Sequence, residues 1–349
     1  MKLNRLTFTR FVAAIAIVIF HFKENVFPFK FEIVRNVIEY FNVLVSYFFV
    51  LSGFILTINL KEHINFREFY INRFARIYPL YLAAFSLMLF LLLVARTPRD
   101  TISFDKVFSS VFLIQAWFQQ YALTYNFPAW SLSVEAFFYL VFPFAILLLK
   151  SQQLKWQLIS IGLFWIIMQG VFVYLISHQS YSVLYNPLFH LSTFLVGIAA
   201  GALFISKQKI LATHIATLEV FSVSAVLVIA FLIISHNSLF KKFYQNGLLA
   251  PVFVVFIYTV ALSKRKFIEF FSDRRLEYLG EISYGIYILQ LPVSILIFGI
   301  IDRVVKVSPT ITFYIYLPVL IVSASLTNRF IEKPGRTMIR SLLNKKVTI

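Results

Sequence analysis

Residues 130–149 read Trp-Ser-Leu-Ser-Val-Glu-Ala-Phe-Phe-Tyr-Leu-Val-Phe-Pro-Phe-Ala-Ile-Leu-Leu-Leu, twenty residues with one charge, Glu135. That length and composition match what the hydrocarbon core of a bilayer demands of one helix. The same pattern recurs along the chain. Apolar blocks at about 6–22, 41–60, 78–95, 130–149, 157–177, 187–205, 215–235, 246–263, 282–301 and 310–328 are separated by polar or basic breaks. They predict an all-α polytopic membrane protein of about ten transmembrane helices.

Composition agrees. Of 349 residues, 60% are hydrophobic, 18% aromatic and only 13% charged. A soluble domain of this size would carry about twice the charge, and a disordered chain would show the opposite bias. The absence of cysteine excludes disulfides, thiolate metal sites and a Cys nucleophile. The net charge of +17 raises the question of nucleic acid. The basic residues instead fall in short runs between apolar blocks, which reads as topology and anionic headgroups. With the N-terminus placed in the cytoplasm, 22 of the 32 Lys and Arg residues fall on the inner side, so both termini are expected to be cytoplasmic. Phe11 to Phe22 follows basic residues as a signal peptide would, but no small-x-small cleavage site comes after it, so a retained first span is expected. The whole chain, 1–349, reads as a single integral-membrane domain with a short basic cytoplasmic tail from about 329. The longest non-spanning segment, 97–128, contains a semi-apolar stretch, Val107 to Phe118, expected to lie on or dip into the membrane.

Ionisable residues inside spans are costly, so they are the informative ones. Arg10 and His21 bracket the first span. Eleven residues at 100° each place both on one helix face about 16 Å apart. Such a pair suits either a boundary cation with an interfacial imidazole or a pocket in which histidine handles a proton. Among the acids only Glu135 and Glu219 are read as falling inside spans. Glu135 lies about one turn into its helix with Ser131 at i−4; it suits orientation of an imidazole or a structural ion pair with arginine. Glu219 sits near a span end, within reach of headgroups. Arg73 and Arg76, expected in the cytoplasmic loop after the second span, would share a face if helical and could hold phosphate oxygens at the inner surface. Anchoring of that loop is the plainer use of each. Tyr284 and Gln290 in the ninth span want partners, and His190 near an end of the sixth reads as interfacial. No zinc-ligand spacing, phosphate-cradling glycine loop, dinucleotide fingerprint or nucleophile elbow is present.

Together these pieces resemble acyltransferase family 3, the membrane proteins that include O-antigen and exopolysaccharide O-acetyltransferases. The resemblance runs in order over almost the whole chain. Arg10 and His21 are similar to the family's first-helix pair, Phe48-Phe49-Val50-Leu51-Ser52-Gly53-Phe54 to its second-helix signature, and Arg73-x-x-Arg76 to its arginine motif. Trp130-Ser131-Leu132-Ser133-Val134-Glu135 with Phe138-Tyr139 and Pro143 resembles its most recognisable block. Ile282-Ser283-Tyr284 through Pro292, and Phe330-Ile331-Glu332-Lys333-Pro334, resemble its closing motifs. Three positions depart from the pattern. Leu6-Thr7-Phe8-Thr9 replaces an Asp that members often carry before the arginine, Ala136 replaces a second Glu, and Gln290 replaces a His. A base at position 290 is therefore unavailable, which concentrates proton chemistry on His21. No appended periplasmic hydrolase-like domain is seen, so the bundle is expected to act alone.

The resemblance implies an enzyme of the bacterial cytoplasmic (inner) membrane. It would move an acyl group, acetyl first among the choices, from cytoplasmic acetyl-CoA to a hydroxyl of a cell-surface glycan or lipid-linked sugar, with no metal or prosthetic group and no nucleic-acid partner. Catalysis would fall to His21, Arg10 and Glu135, and the CoA phosphates to Arg73 and Arg76. Ser131, Ser133, Trp130 and Tyr284 would line the pocket or supply oxyanion donors. The competing reading is a proton-coupled transporter, since ten helices with a buried Arg/His/Glu set also describe a carrier. Against it, no pair of Gly/Pro-broken helices occupies matching positions of two halves.

Overall fold

The computed structural model describes residues 3–60, 64–95, 102–150, 152–178, 181–234, 246–304 and 307–344. Several loop cations that enter the charge balance (Lys2, Lys61, Arg96, Arg99, Lys241, Lys242, Lys306, Lys345 and Lys346) lie outside them. All regular structure among the described residues is helical, and nine helical segments are long and apolar enough to cross a membrane. The contacts divide the chain into two compact units, Met1–Lys61 with Ala145–Glu281, and Glu62–Phe144 with Ile282–Ile349.

The first unit contains α1 (Asn4–Phe22), α2 (Glu32–Ile38), α3 (Leu44–Ile58), α7 (Leu154–Ser177), α8 (Pro187–Thr213), α9 (Ile215–Ile234), α10 (Ala250–Leu262), α11 (Lys266–Glu269) and α12 (Arg274–Glu281). Its most extensive helix pair is α3 on α8. Glycine explains the closeness. A Cβ added at Gly197 would stand 2.1 Å from the Val50 carbonyl oxygen, and one at Gly53 would stand 2.3 Å from that of Phe194. Gly197 and Gly201 are four apart on α8, the small-residue spacing that lets membrane helices meet backbone to backbone. Gly197→Ala is therefore expected to cost about 1–3 kcal/mol through overpacking. Gly162 of α7 has no atom within 4 Å of such a Cβ, so Gly162→Ala should be neutral or slightly stabilising. Thermal unfolding of the two variants in detergent checks the contrast.

The eighth expected span, 246–263, is realised only as the thirteen residues of α10, about 20 Å of helix and short of a full crossing. The cause is a turn at its start. Gly247 adopts φ +79°, a conformation that glycine takes without steric cost, and Pro251 occupies the first turn of the helix that follows. The turn's carbonyls are satisfied from α7, by Trp165 Nε1 on Gly247 and Gln169 Nε2 on Asn246, each at 3.0 Å.

The second unit contains α4 (Phe66–Val94), α5 (Phe104–Val111), most of α6 (Trp130–Lys150), α13 (Ser283–Val304), α14 (Pro309–Thr327) and α15 (Lys333–Asn344). One expectation changes here. The segment carrying Arg73 and Arg76 is not a loop: α4 begins at Phe66, with the Asn65 side chain accepting the Glu68 N–H at 3.0 Å. Asparagine three residues before glutamate is a helix-start pattern, and it prolongs the third span backwards through both arginines. The stretch expected as a basic tail is helical. One turn of π-helix, Asn328–Glu332, joins α14 to α15, so the last span continues into an amphipathic end. The semi-apolar stretch 107–118 is a short helix followed by a tight turn. It is fastened to α4 by Tyr81 Oη on Ser110 O and Tyr78 Oη on Val111 O, at 2.5 and 3.2 Å.

Candidate functional site

In the second unit, polar groups that would be costly alone gather around Arg76. On α6, the Tyr139 hydroxyl donates to Glu135 Oε1 at 2.5 Å, one helical turn away. Arg76 of α4 has Tyr139, Glu135, Glu332 and Tyr284 as its electrostatic neighbours. Arg73 faces Tyr139, Arg76 and Glu135. Its guanidinium lies 5.8 Å from the Phe69 ring and 5.7 Å from the Tyr139 ring, distances at which the π faces attract a cation. Phe69 is itself stacked on Phe142 of α6 at 5.3 Å, so an aromatic platform fixes the arginine. Glu135 and Glu332 supply the counter-charge that lets guanidinium groups persist in an apolar bundle. Arg73 Nε is buried without a hydrogen-bond partner.

The other pocket residues of this unit hold local structure. Ser131 donates to Pro128 O at 3.1 Å, so at 2.8 Å it accepts from the Tyr287 hydroxyl. Ser133, fully buried, donates to Leu113 O at 2.6 Å and accepts the Ala116 N–H at 3.3 Å, tying α6 to the preceding loop. Tyr284 donates to Ile77 O at 2.8 Å, near Pro79 within α4. Trp130 opens α6. Gln290 is buried, with its amide on Tyr287 O and its backbone carbonyl accepting from Tyr316.

In the first unit, α1 carries both Arg10 and His21. Its buried residues include Ala13, Ala14, Ile17 and Val18, at +3, +4, +7 and +8 from Arg10, so the cation and the imidazole flank one buried stripe. Thr9 donates to Leu6 O and therefore accepts from the buried Tyr47 hydroxyl of α3. Arg10 is an electrostatic neighbour of that phenol. His21 lies in the last turn of α1, edge-on to Phe20 at 5.1 Å. The start of α1 is clamped by Asn4 on Glu277 at 3.0 Å and Arg5 on Ser263 O. Close by in the fold, Glu219 accepts from Ser263 and from Arg265, each at 2.6 Å. His190 is buried, its Nε2 on Leu184 O at 2.9 Å and its ring 5.3 Å from Phe49, a core position where an interfacial one was expected.

Sequence reasoning quoted Tyr139 and Glu332 within motifs but gave no site role to them, to Tyr47 or to Tyr287. Tyr139 was within reach, because a phenol at i+4 from a lone intramembrane acid is its natural partner. Among the described residues, no group of three or more His, Cys, Asp or Glu side chains is gathered to hold a metal ion.

Known proteins place the chain. It is 26% identical over 332 residues to the putative peptidoglycan O-acetyltransferase YrhL of Bacillus subtilis, covering 84% of this chain and 50% of the relative. It is equally 26% identical to the O-acetyltransferase OatA of Staphylococcus aureus, covering 84% and 52%. Over 151 residues it is 32% identical to the acyltransferase MdmB of Streptomyces mycarofaciens, 41% of this chain and 39% of that one. The chain thus spans about half the length of the curated relatives it matches. No solved structure matches it. The family model described as an acyltransferase domain, Acyl_transf_3, matches residues 3–329, and the chain belongs to that family.

Proposed function

We propose that this protein is a multi-pass O-acyltransferase of the bacterial cytoplasmic membrane. It takes an acetyl group from acetyl-CoA on the cytoplasmic side and delivers it to a hydroxyl of a glycan or lipid-linked sugar at the outer face. Residues 1–349 act as one acyltransferase domain. Family membership and the O-acetyltransferase names of the relatives support the class. The observation that carries the donor is the Arg73/Arg76 pair, two guanidinium groups one turn apart on one helix, with Arg73 Nε buried and without a hydrogen-bond partner. Forked, permanently charged guanidinium groups match the oxygens of a nucleotide diphosphate.

The chemistry needs a base, an electrophile and a leaving thiolate. His21 takes the proton of the acceptor hydroxyl as its oxygen attacks the thioester carbonyl. Collapse of the tetrahedral adduct forms the ester and releases CoA as thiolate, which recovers the proton from the imidazolium. Arg10, on the same stripe of α1, lowers the cost of the developing negative charge. Glu135 balances the charge of Arg76 and Arg73. Ser131, with its Tyr287 partner, Ser133, Tyr284 and Trp130 line the acyl end, where a hydroxyl that exchanges its present acceptor becomes an oxyanion donor.

The test uses membranes supplied with acetyl-CoA carrying a labelled acetyl group, together with mass spectrometry of surface glycans from wild-type and deletion strains. The label should appear on a glycan or lipid-linked sugar, and the deletion should lose an acetyl increment from the same species. Unlabelled glycans with an unchanged mass profile would overturn the reading and turn attention to proton-coupled uptake.

A further inference from the structure

The last span buries a carboxylate where its composition announces a basic exit from the membrane. Glu332 is 3% exposed although Arg329, Lys333, Arg336 and Arg340 surround it in sequence. Its placement depends on the π-turn. Tyr316, Leu320, Ala324, Asn328 and Glu332 are all buried, each four residues after the last. In a straight α-helix, sixteen residues at 100° would carry position 332 about 160° around from position 316, onto the opposite face. The extra residue of the π-turn Asn328–Glu332 turns that face back.

Once inside, Glu332 uses both oxygens. Oε2 accepts from Asn328 Nδ2 at 3.2 Å, and Oε1 accepts from Arg336 one turn along α15. The π-turn and α15 both pack on α4. Gly335 approaches Pro79 so closely that an added Cβ would stand 2.7 Å from the proline Cβ. Glu332 thereby becomes an electrostatic partner of Arg76 and of Tyr284. The packing of the C-terminal turn on α4 thus sets its carboxylate in the electrostatic surroundings of Arg76.

We propose that Glu332 is a positioning residue of the donor site: anchored by Asn328 and Arg336, its carboxylate holds the Arg76 guanidinium in the orientation that receives the donor's phosphate oxygens. The proposal rests on the reading of Arg73 and Arg76 as the donor contacts. It gives the π-turn a purpose, since π-turns recur where a helix must present a side chain out of register. It also separates the two arginines. Arg73 is set by aromatic faces, Arg76 by charge from two directions.

The experiment measures initial rates against acetyl-CoA and against the acceptor for Glu332→Gln, Arg76→Ala and the double variant, with thermal unfolding alongside. Glu332→Gln should raise the donor KM about 10- to 100-fold, the range for one misplaced charged contact, and leave the acceptor KM within about twofold. The double variant should show no larger donor KM than Arg76→Ala alone, because the carboxylate acts through that arginine. If Glu332→Gln fails to accumulate, Glu332→Asp retains the charge and withdraws it by one methylene; it should raise the donor KM in the same direction. A donor KM unchanged in the Glu332 variants but raised in Arg76→Ala would overturn the positioning role while keeping the donor site. Multiplicative effects in the double variant would overturn it too. A donor KM unchanged in Arg76→Ala would remove the donor reading itself.

Discussion

Replacing His21 with alanine should lower the rate of acyl transfer about 10²- to 10⁴-fold, the span that loss of a general base produces, while the protein remains in the membrane and folded. The argument for a large catalytic and small structural effect is positional. His21 is only partly buried and lies in the last turn of α1, beyond the stripe Ala13, Ala14, Ile17 and Val18 that packs the helix. The clamp at the other end, where Asn4 meets Glu277 and Arg5 meets Ser263, is untouched. Initial rates at saturating donor and acceptor are the measurement. His21→Gln should lose as much as His21→Ala, because an amide copies the hydrogen bonding but not the titration. Added imidazole should restore part of the activity of His21→Ala. Full activity in either variant would remove His21 from the chemistry, and equal loss of folded protein would make its role structural.

Most of this arrangement is legible in the sequence because intramembrane charge is expensive. Arg10, His21 and Glu135 stand out from apolar blocks by composition alone, and helix periodicity puts the first two on one face. What stayed hidden depended on local backbone rather than composition. Glu332 lies in a run of four basic residues that reads as the exit from the membrane, and only the π-turn returns it to the buried side. The helical start of α4 was written in Asn65 and Glu68, but the same stretch holds Arg67, Arg73 and Arg76, and charge made it look like a loop. The shortening of the span after α9 rests on one glycine at positive φ. The close pairing of α3 with α8 rests on Gly53, Gly197 and Gly201, residues that carry no hydropathy signal.

Arginine replacement in α4 should separate donor binding from folding, because the two arginines are held differently. Each charged contact to a phosphate is worth about 1.5–3 kcal/mol, so losing both should raise the donor KM about 10²- to 10⁴-fold. Arg73→Ala is the cleaner half. The Arg73 guanidinium leans on Phe69 and Tyr139, its Nε has no hydrogen-bond partner, and Glu135 keeps Arg76 when Arg73 is removed. The donor KM should rise about 10- to 100-fold with little change in melting temperature. Arg76→Ala removes the cation that Glu135 and Glu332 share. Glu332 keeps Arg336 and Glu135 keeps Arg73 as counter-charge, so this variant should lose donor affinity together with about 1–3 kcal/mol of stability. Lysine should rescue stability at position 76 better than it rescues donor affinity, since an ammonium supplies the charge without the planar fork. The decisive comparison is the donor KM of Arg73→Ala measured in folded protein. If it equals that of the wild type, Arg73 serves only to hold α4 against α6, and the donor's phosphates bind without it.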